Sequence, residues 1–421
     1  MKKFIIILFA ITLSLPLYAQ ADDDIAWIDP DEQEEQEQEE QQEVQPKPPF
    51  SFARQKFEFG NSLNVGFSND LIALSEFFKE NLVLDMDKLG GSVGKNGFNL
   101  NLAVLMDIFL NVKGLGIAGG VWDFGLFVGP NGNINFNMPN SLFTLIAKGN
   151  NNPYSFEGMV SASGGIYANA GLSANAKFGK ISAGVKPALF APLIFIPKSG
   201  IKYRLDTEES ISLYTSGDIS IYSPFLNPNF QLNYGFDITM EGGYALLPFL
   251  DVGGSISRIP IAPAVMRNRM RYTLSDFNLE ISGEDIMSGN IPELPSMDFR
   301  DESDTKKFNV FRPIKFDIYA RYKPFNNEFL VLTPNIGFSV DINDKKGYFN
   351  AGADAQLNLM DLFVVNLGTK YEEAIWTHRL ALALNLRFFE LDLGFALRSQ
   401  SFTGSFKAQG IGFNLGLFFG Y

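Results

Sequence analysis

The chain has no cysteine among its 421 residues and a single histidine, His378. The first absence excludes a disulfide scaffold, thiolate zinc sites and cysteine nucleophiles. The second excludes histidine-rich metal sites and leaves any imidazole-dependent catalysis to one residue, so the composition points away from enzymes, metals and cofactors. Clustered positive charge of the kind that binds nucleic acid is also lacking. After the first 21 residues no apolar run approaches the ~18 residues of a membrane-spanning helix.

What the sequence does have is apolar residues (46%, with 41 Phe) thoroughly interleaved with polar ones, for a mean hydropathy of only +0.02. The net charge of −13 is concentrated in one place: residues 22–49 hold twelve acids against Lys47. This Glu/Gln-rich, Pro-terminated arm cannot bury enough apolar area to offset its ordering entropy, and is expected to be disordered. It reads as a solvated tether, or as an acidic element for a periplasmic partner. Ahead of it, Met1-Lys2-Lys3, the apolar run Phe4–Leu17 and Ala19-Gln20-Ala21 have the form of a secretory signal peptide, with Ala19 and Ala21 at the cleavage site. The expected organisation is thus 1–21 signal peptide, 22–49 acidic arm and 50–421 folded body.

That body alternates with period 2, the signature of strands with one apolar face. Ile314, Phe316, Ile318, Ala320 and Tyr322 oppose Lys315, Asp317, Tyr319 and Arg321. The same pattern recurs over Asn99–Lys113, Asn335–Ile342 and Phe349–Leu359. Leu380, Leu382, Leu384, Leu386 and Phe388 share a phase that flips at Phe389, Leu391, Leu393, Phe395 and Leu397, which requires a tight turn or bulge around Arg387–Phe389. The segments have the nine-to-eleven-residue length, or more, of a tilted membrane strand, and the face opposite the apolar one carries Gly, Asn and charges of both signs. The expected fold is all-β: a closed antiparallel barrel in the cell outer membrane, of about fourteen strands with twelve to sixteen fitting the pattern. At the end, Asn414, Gly416, Phe419 and Tyr421 resemble, position for position, the C-terminal signal by which outer-membrane barrels engage their assembly machinery.

Two segments break the alternation. Asp70–Asn81 has apolar residues at helical spacing, and Pro139–Lys148 is a shorter helical candidate; both are short helices able to plug a lumen. Tyr272–Lys307, acidic and broken by Pro292 and Pro295, reads as a long extracellular loop. The expected lumen charges are a positive ladder of Arg267, Arg269 and Arg271, together with Lys315, Asp317, Arg321, Glu390, Asp392 and Arg398. Their mixed signs suggest cross-strand pairing more than a single-sign ion filter. Gly114–Gly119 satisfies G-x-G-x-x-G but lies among membrane-type strands, where a glycine-rich turn is the better reading. His378 lies near Glu372 and Glu373, a pairing available for general-base chemistry, yet no serine is close in sequence; a structural or interfacial role fits it better.

Asn81–Leu89, Pro139-Asn140-Ser141-Leu142, Lys148-Gly149-Asn150 and Phe178–Val185 resemble a poorly characterised family of secreted barrels, similar in outline to long-chain fatty acid transporter barrels. The resemblance implies about fourteen strands, an N-terminal segment able to plug the lumen, and transport of small, hydrophobic molecules. The short Asn-Pro-Ala element of that transporter's plug is absent, and no functional residue carries over. The alternative function is a non-transporting barrel that anchors the acidic arm.

Overall fold

The structure is a computed structural model that describes residues 56–69, 97–141, 155–206, 211–226, 232–267, 269–281, 288, 298–300, 307–360, 362–386 and 388–420. The signal peptide, the acidic arm, Asp70–Asn81, most of Pro139–Lys148 and Tyr421 lie outside the described residues.

In chain order the strands are β1 (Phe57–Asn69), β2 (Phe98–Ile117), β3 (Gly120–Met138), β4 (Ser155–Phe178), β5 (Ile181–Asp206), β6 (Ile211–Tyr222), β7 (Gly235–Leu247), β8 (Leu250–Ala262), β9 (Ala264–Met266) and β10 (Arg269–Ile281). They continue with β11 (Asp298–Arg300), β12 (Phe308–Val310), β13 (Ile314–Tyr322), β14 (Leu330–Asp341), β15 (Lys346–Leu359), β16 (Phe363–Glu372), β17 (Ile375–Asn385), β18 (Phe389–Ser399) and β19 (Gly410–Gly420). Fourteen of them form one closed antiparallel ring: β1 to β5, then β7, β8 and β13 to β19, with β19 pairing back onto β1.

The alternation read from the sequence maps onto the two faces of this wall. Ile318 (66% exposed), Leu367 (55%) and Leu380 (54%) point outward with Leu126, Leu172, Ile336 and Phe413, a belt of bare apolar side chains that hydrocarbon would cover. Lys315, Asp317, Asn350, Asp392 and Asn414 occupy the opposite phase, inside. The flip at Leu386–Phe389 is a tight hairpin in which each of these two residues donates its N–H to the other's carbonyl, at 2.7 and 3.3 Å. Gly114–Gly119 likewise leads into the β2–β3 hairpin: Ala118 and Gly119 both have positive φ (52° and 74°), as a two-residue mirror-image turn demands. With an antiparallel partner and no helix after it, this glycine run cannot cradle a dinucleotide.

β4 and β5, at 24 and 26 residues, exceed the roughly 9–11 that cross a bilayer. Their surplus extends the sheet beyond the ring. β5 pairs with β7 from Ile181 to Phe190, then changes partner and pairs with β6 from Phe195 to Asp206; β6 in turn pairs with β10. Of the span Tyr272–Lys307, expected as an extracellular loop, the first part is strand, because β10 runs to Ile281. A register shift between Leu274 and Phe277 displaces the apolar phase there and hides the strand's periodicity. Where β5 changes partner, the ribbon β9–β12 packs behind the wall, and Ala264, Met266 and Val310 are buried against Tyr167, Phe190, Phe195 and Tyr222.

If Ile336 faces hydrocarbon, Ile336→Arg should lower the stability of the barrel refolded in lipid vesicles by roughly 2–4 kcal/mol, whereas Ile336→Leu should cost less than about 1.5. Urea titration reads both; equal, small effects would place Ile336 in water.

Candidate luminal site

Inside the ring lies a cavity of about 490 Å³, bounded by strands β2 to β5, β7, β8, β13 and the segment after β12. That is the size of a small-molecule site. Its wall mixes apolar Leu105, Phe109 and Phe127 with Asn131, Asn169 and Ser173, and five charged side chains reach it: Asp107, Lys186, Arg258, Arg312 and Lys315.

Three of the charges are spent on partners. Arg312 makes a fork of two hydrogen bonds to Asp237 (2.7 and 2.6 Å), with both side chains buried (5% and 1% exposed) and the guanidinium 5.2 Å from the centre of the Phe190 ring. This planar, bidentate geometry is what lets a buried ion pair offset its desolvation. Lys186 meets Glu241 of the adjacent strand at 3.3 Å. Lys315 bonds Glu372 and approaches Glu373 at 3.4 Å, while Lys370 holds the other oxygen of Glu372 at 2.8 Å.

The Glu372–Glu373 turn also ties the walls together. Glu373 accepts a hydrogen bond from Asn133 of β3, on the far side of the ring, and its own N–H donates to Asn350 of β15 at 3.3 Å. Asn350 donates in turn to Ser339 of β14 at 2.9 Å. A polar chain therefore crosses the lumen beside the cavity. Adjacent strands alone could not supply it; Lys315 and Glu372 are separated by β14 and β15.

The expected lumen charges divide accordingly. Lys315 enters the chamber. Arg321 is directed to the β13–β14 turn, where it bonds Glu328. Asp317 lies over Gly337, where an added Cβ would stand 2.4 Å from its carboxylate. Asp392 accepts from Asn414 (3.2 Å), and Glu390 faces inward beside it on the same strand. Arg398 reaches past Gly66, which leaves it room, to Asn101 at 3.4 Å. Arg269 and Arg271 share a face of β10, but β10 is outside the ring of fourteen; Arg271 pairs with Asp218 of β6 at 3.1 Å, and Arg267 is exposed before the strand.

His378 points outward, in phase with Leu380. It hydrogen-bonds Thr369 through Nδ1 at 2.9 Å and stacks on Phe406 at 4.3 Å, beneath the short helix α1 (Phe402–Phe406). Glu372 and Glu373 are committed inside the barrel, so the geometry assembles no general-base pair with His378.

Sequence reasoning passed over Asp107, Asp237, Arg258 and Arg312. At Arg258 the apolar phase Val252, Gly254, Ile256 shifts by one at Ile259 and Ile261, so the bulge breaks the alternation that would mark the residue as inward. Arg312 stands in an aperiodic Phe311-Arg312-Pro313 step that carries no such signal.

No family model matches the chain, and no curated protein does. Among solved structures, the Pseudomonas putida toluene transporter TodX is similar over 88% of this chain and 92% of its own, at 9% identity and a TM-score of 0.46. CymD, a monoaromatic hydrocarbon channel, covers 87% and 89% at 8% identity and a TM-score of 0.45. A Pseudomonas aeruginosa FadL homologue covers 87% and 90% at 10% and 0.42.

Because Arg312→Met strands a buried carboxylate, it should destabilise the barrel by about 3–5 kcal/mol, and Arg312→Met with Asp237→Leu should recover most of that loss. Equal losses in the single and double variants, measured by denaturant titration, would show that the pair is not coupled.

Proposed function

We propose that the chain is an outer-membrane conduit for small, amphipathic molecules, which pass through a luminal chamber that is closed at rest. The carrying observation is the combination of a ligand-sized cavity with a polar chain, Asn133–Glu373–Lys315, that bridges opposite walls beside it. An open porin has no need of bonds across its bore, whereas a transporter that handles one molecule at a time does. Leu105, Phe109 and Phe127 in the chamber wall supply a surface for the apolar part of such a molecule. The β2–β3, β4–β5, β7–β8 and β17–β18 hairpins share one side with both ends of the ring, which by the usual rule for these barrels faces the periplasm.

The same closure also favours the second reading, a silent barrel whose role is to hold the acidic arm at the periplasmic face for a partner. Planar-bilayer conductance separates the two. The native barrel should show little current, and Glu373→Ala, which cuts the bridge at its centre, should produce sustained openings. Large native currents unaffected by the substitution would refute a closed chamber. Silence in both would refute the conduit and favour the anchor.

A further inference from the structure

Two of the five charges that reach the chamber make no hydrogen-bonded or ion-paired contact among the described residues. Asp107 of β2 and Arg258 of β8 make no side-chain hydrogen bond and no ion pair with each other or with any other described residue, while Lys186, Arg312 and Lys315 in the same wall are all paired. Opposite charges inside a barrel gain by pairing, so two left apart and facing one cavity are set for something that enters it.

The backbone at Arg258 points the same way. Ile238 pairs with Ile259 and Met240 with Ile256, so Thr239 alone opposes both Ser257 and Arg258. At this bulge two consecutive residues turn inward, and both line the chamber. Arg258 holds φ at +62°, a left-handed conformation that costs a non-glycine residue energy, and its N–H is fixed by Thr239 Oγ1 at 3.1 Å. A regular strand would have sent Arg258 into the lipid-facing belt; the bulge delivers it to the cavity.

We infer that the chamber binds small zwitterions with an apolar side group, of the α-amino-acid type. Asp107 takes the ammonium, Arg258 takes the carboxylate in its planar fork, and Leu105, Phe109 and Phe127 receive the side group. A molecule bearing a single charge would leave either Asp107 or Arg258 half-buried and unmatched, so the site discriminates by charge number as well as by sign. The inference rests on reading the chamber as a ligand site, and names its substrate class.

The test is isothermal titration of the refolded native barrel and of Glu373→Ala, in which access is opened, with L-phenylalanine, 3-phenylpropionate and 2-phenylethylamine. L-Phenylalanine should bind about tenfold or more tighter than either singly charged analogue. Asp107→Asn should abolish its advantage over 3-phenylpropionate, and Arg258→Gln its advantage over 2-phenylethylamine. Because the bulge could be sensitive to substitution, Arg258→Lys, which keeps the charge, should retain a measurable preference, and the heat-dependent gel shift of folded barrels checks each variant. Equal binding of the three probes, or unchanged preferences in the variants, would overturn the zwitterion site. If nothing binds although Glu373→Ala conducts, the site is wrong and the conduit stands; if nothing binds and nothing conducts, both fall.

Discussion

In hydrocarbon every backbone N–H and C=O must find a partner within the protein, and for a sheet this means that the last strand must pair with the first. Here the joint is the β1–β19 ladder, continuous from Glu58 opposite Gly420 to Ser68 opposite Gly410. Once that ladder is made, the apolar phase of each strand is committed to the outside and the polar phase to the inside, since a slip of one residue would exchange them. The hairpins, the apolar belt and the character of the lumen all follow from this closure.

Closure creates a second demand: a narrow space walled by polar groups and shielded from much of the surrounding water. Small inward residues leave room for a few long side chains to cross it. Gly66 makes way for Arg398, and Gly337 for Asp317. Charges that face one another in such a space are strongly coupled, which favours paired arrangements such as Arg312 with Asp237 and Lys315 with Glu372 and Glu373. Arg312 and Asp237 lie within neighbouring segments, Lys315 reaches over two strands to Glu372, and Asn133 meets Glu373 from the far side of the ring. In the proposed closed state the last of these holds the lumen shut while the backbone ladders hold the wall. Asp107 and Arg258 depart from the rule, and a backbone bulge maintains the departure.

How much of this the sequence discloses depends on range. The ring, its outward face and the hairpin at Leu386–Phe389 are legible because period 2 is a local property, and Ile314–Tyr322 agrees with β13 to the residue. Bulges defeat the pattern: β10 reads as loop because its phase shifts after Leu274, and Arg258 is missed for the same reason. The luminal site lies further from reach. Glu372 and Glu373 stand near His378 in sequence, yet the turn sends them inside while His378 faces outward under Phe402 and Phe406. Which inward charge meets which is decided by the curvature of the closed wall, and no local period encodes it.

The central claim, that bonds between opposite walls close the lumen over a chamber, is tested most directly through the absence of cysteine. A single thiol at Ser173, in the chamber wall, gives an otherwise unreactive chain one reporter. Its labelling by a charged, membrane-impermeant thiol reagent should be far slower than that of a thiol placed at Lys345 on the β14–β15 turn, and should accelerate sharply when Glu373 is replaced by alanine. Equal rates at the two positions in the otherwise native barrel would mean that the lumen is open, and would contradict the account.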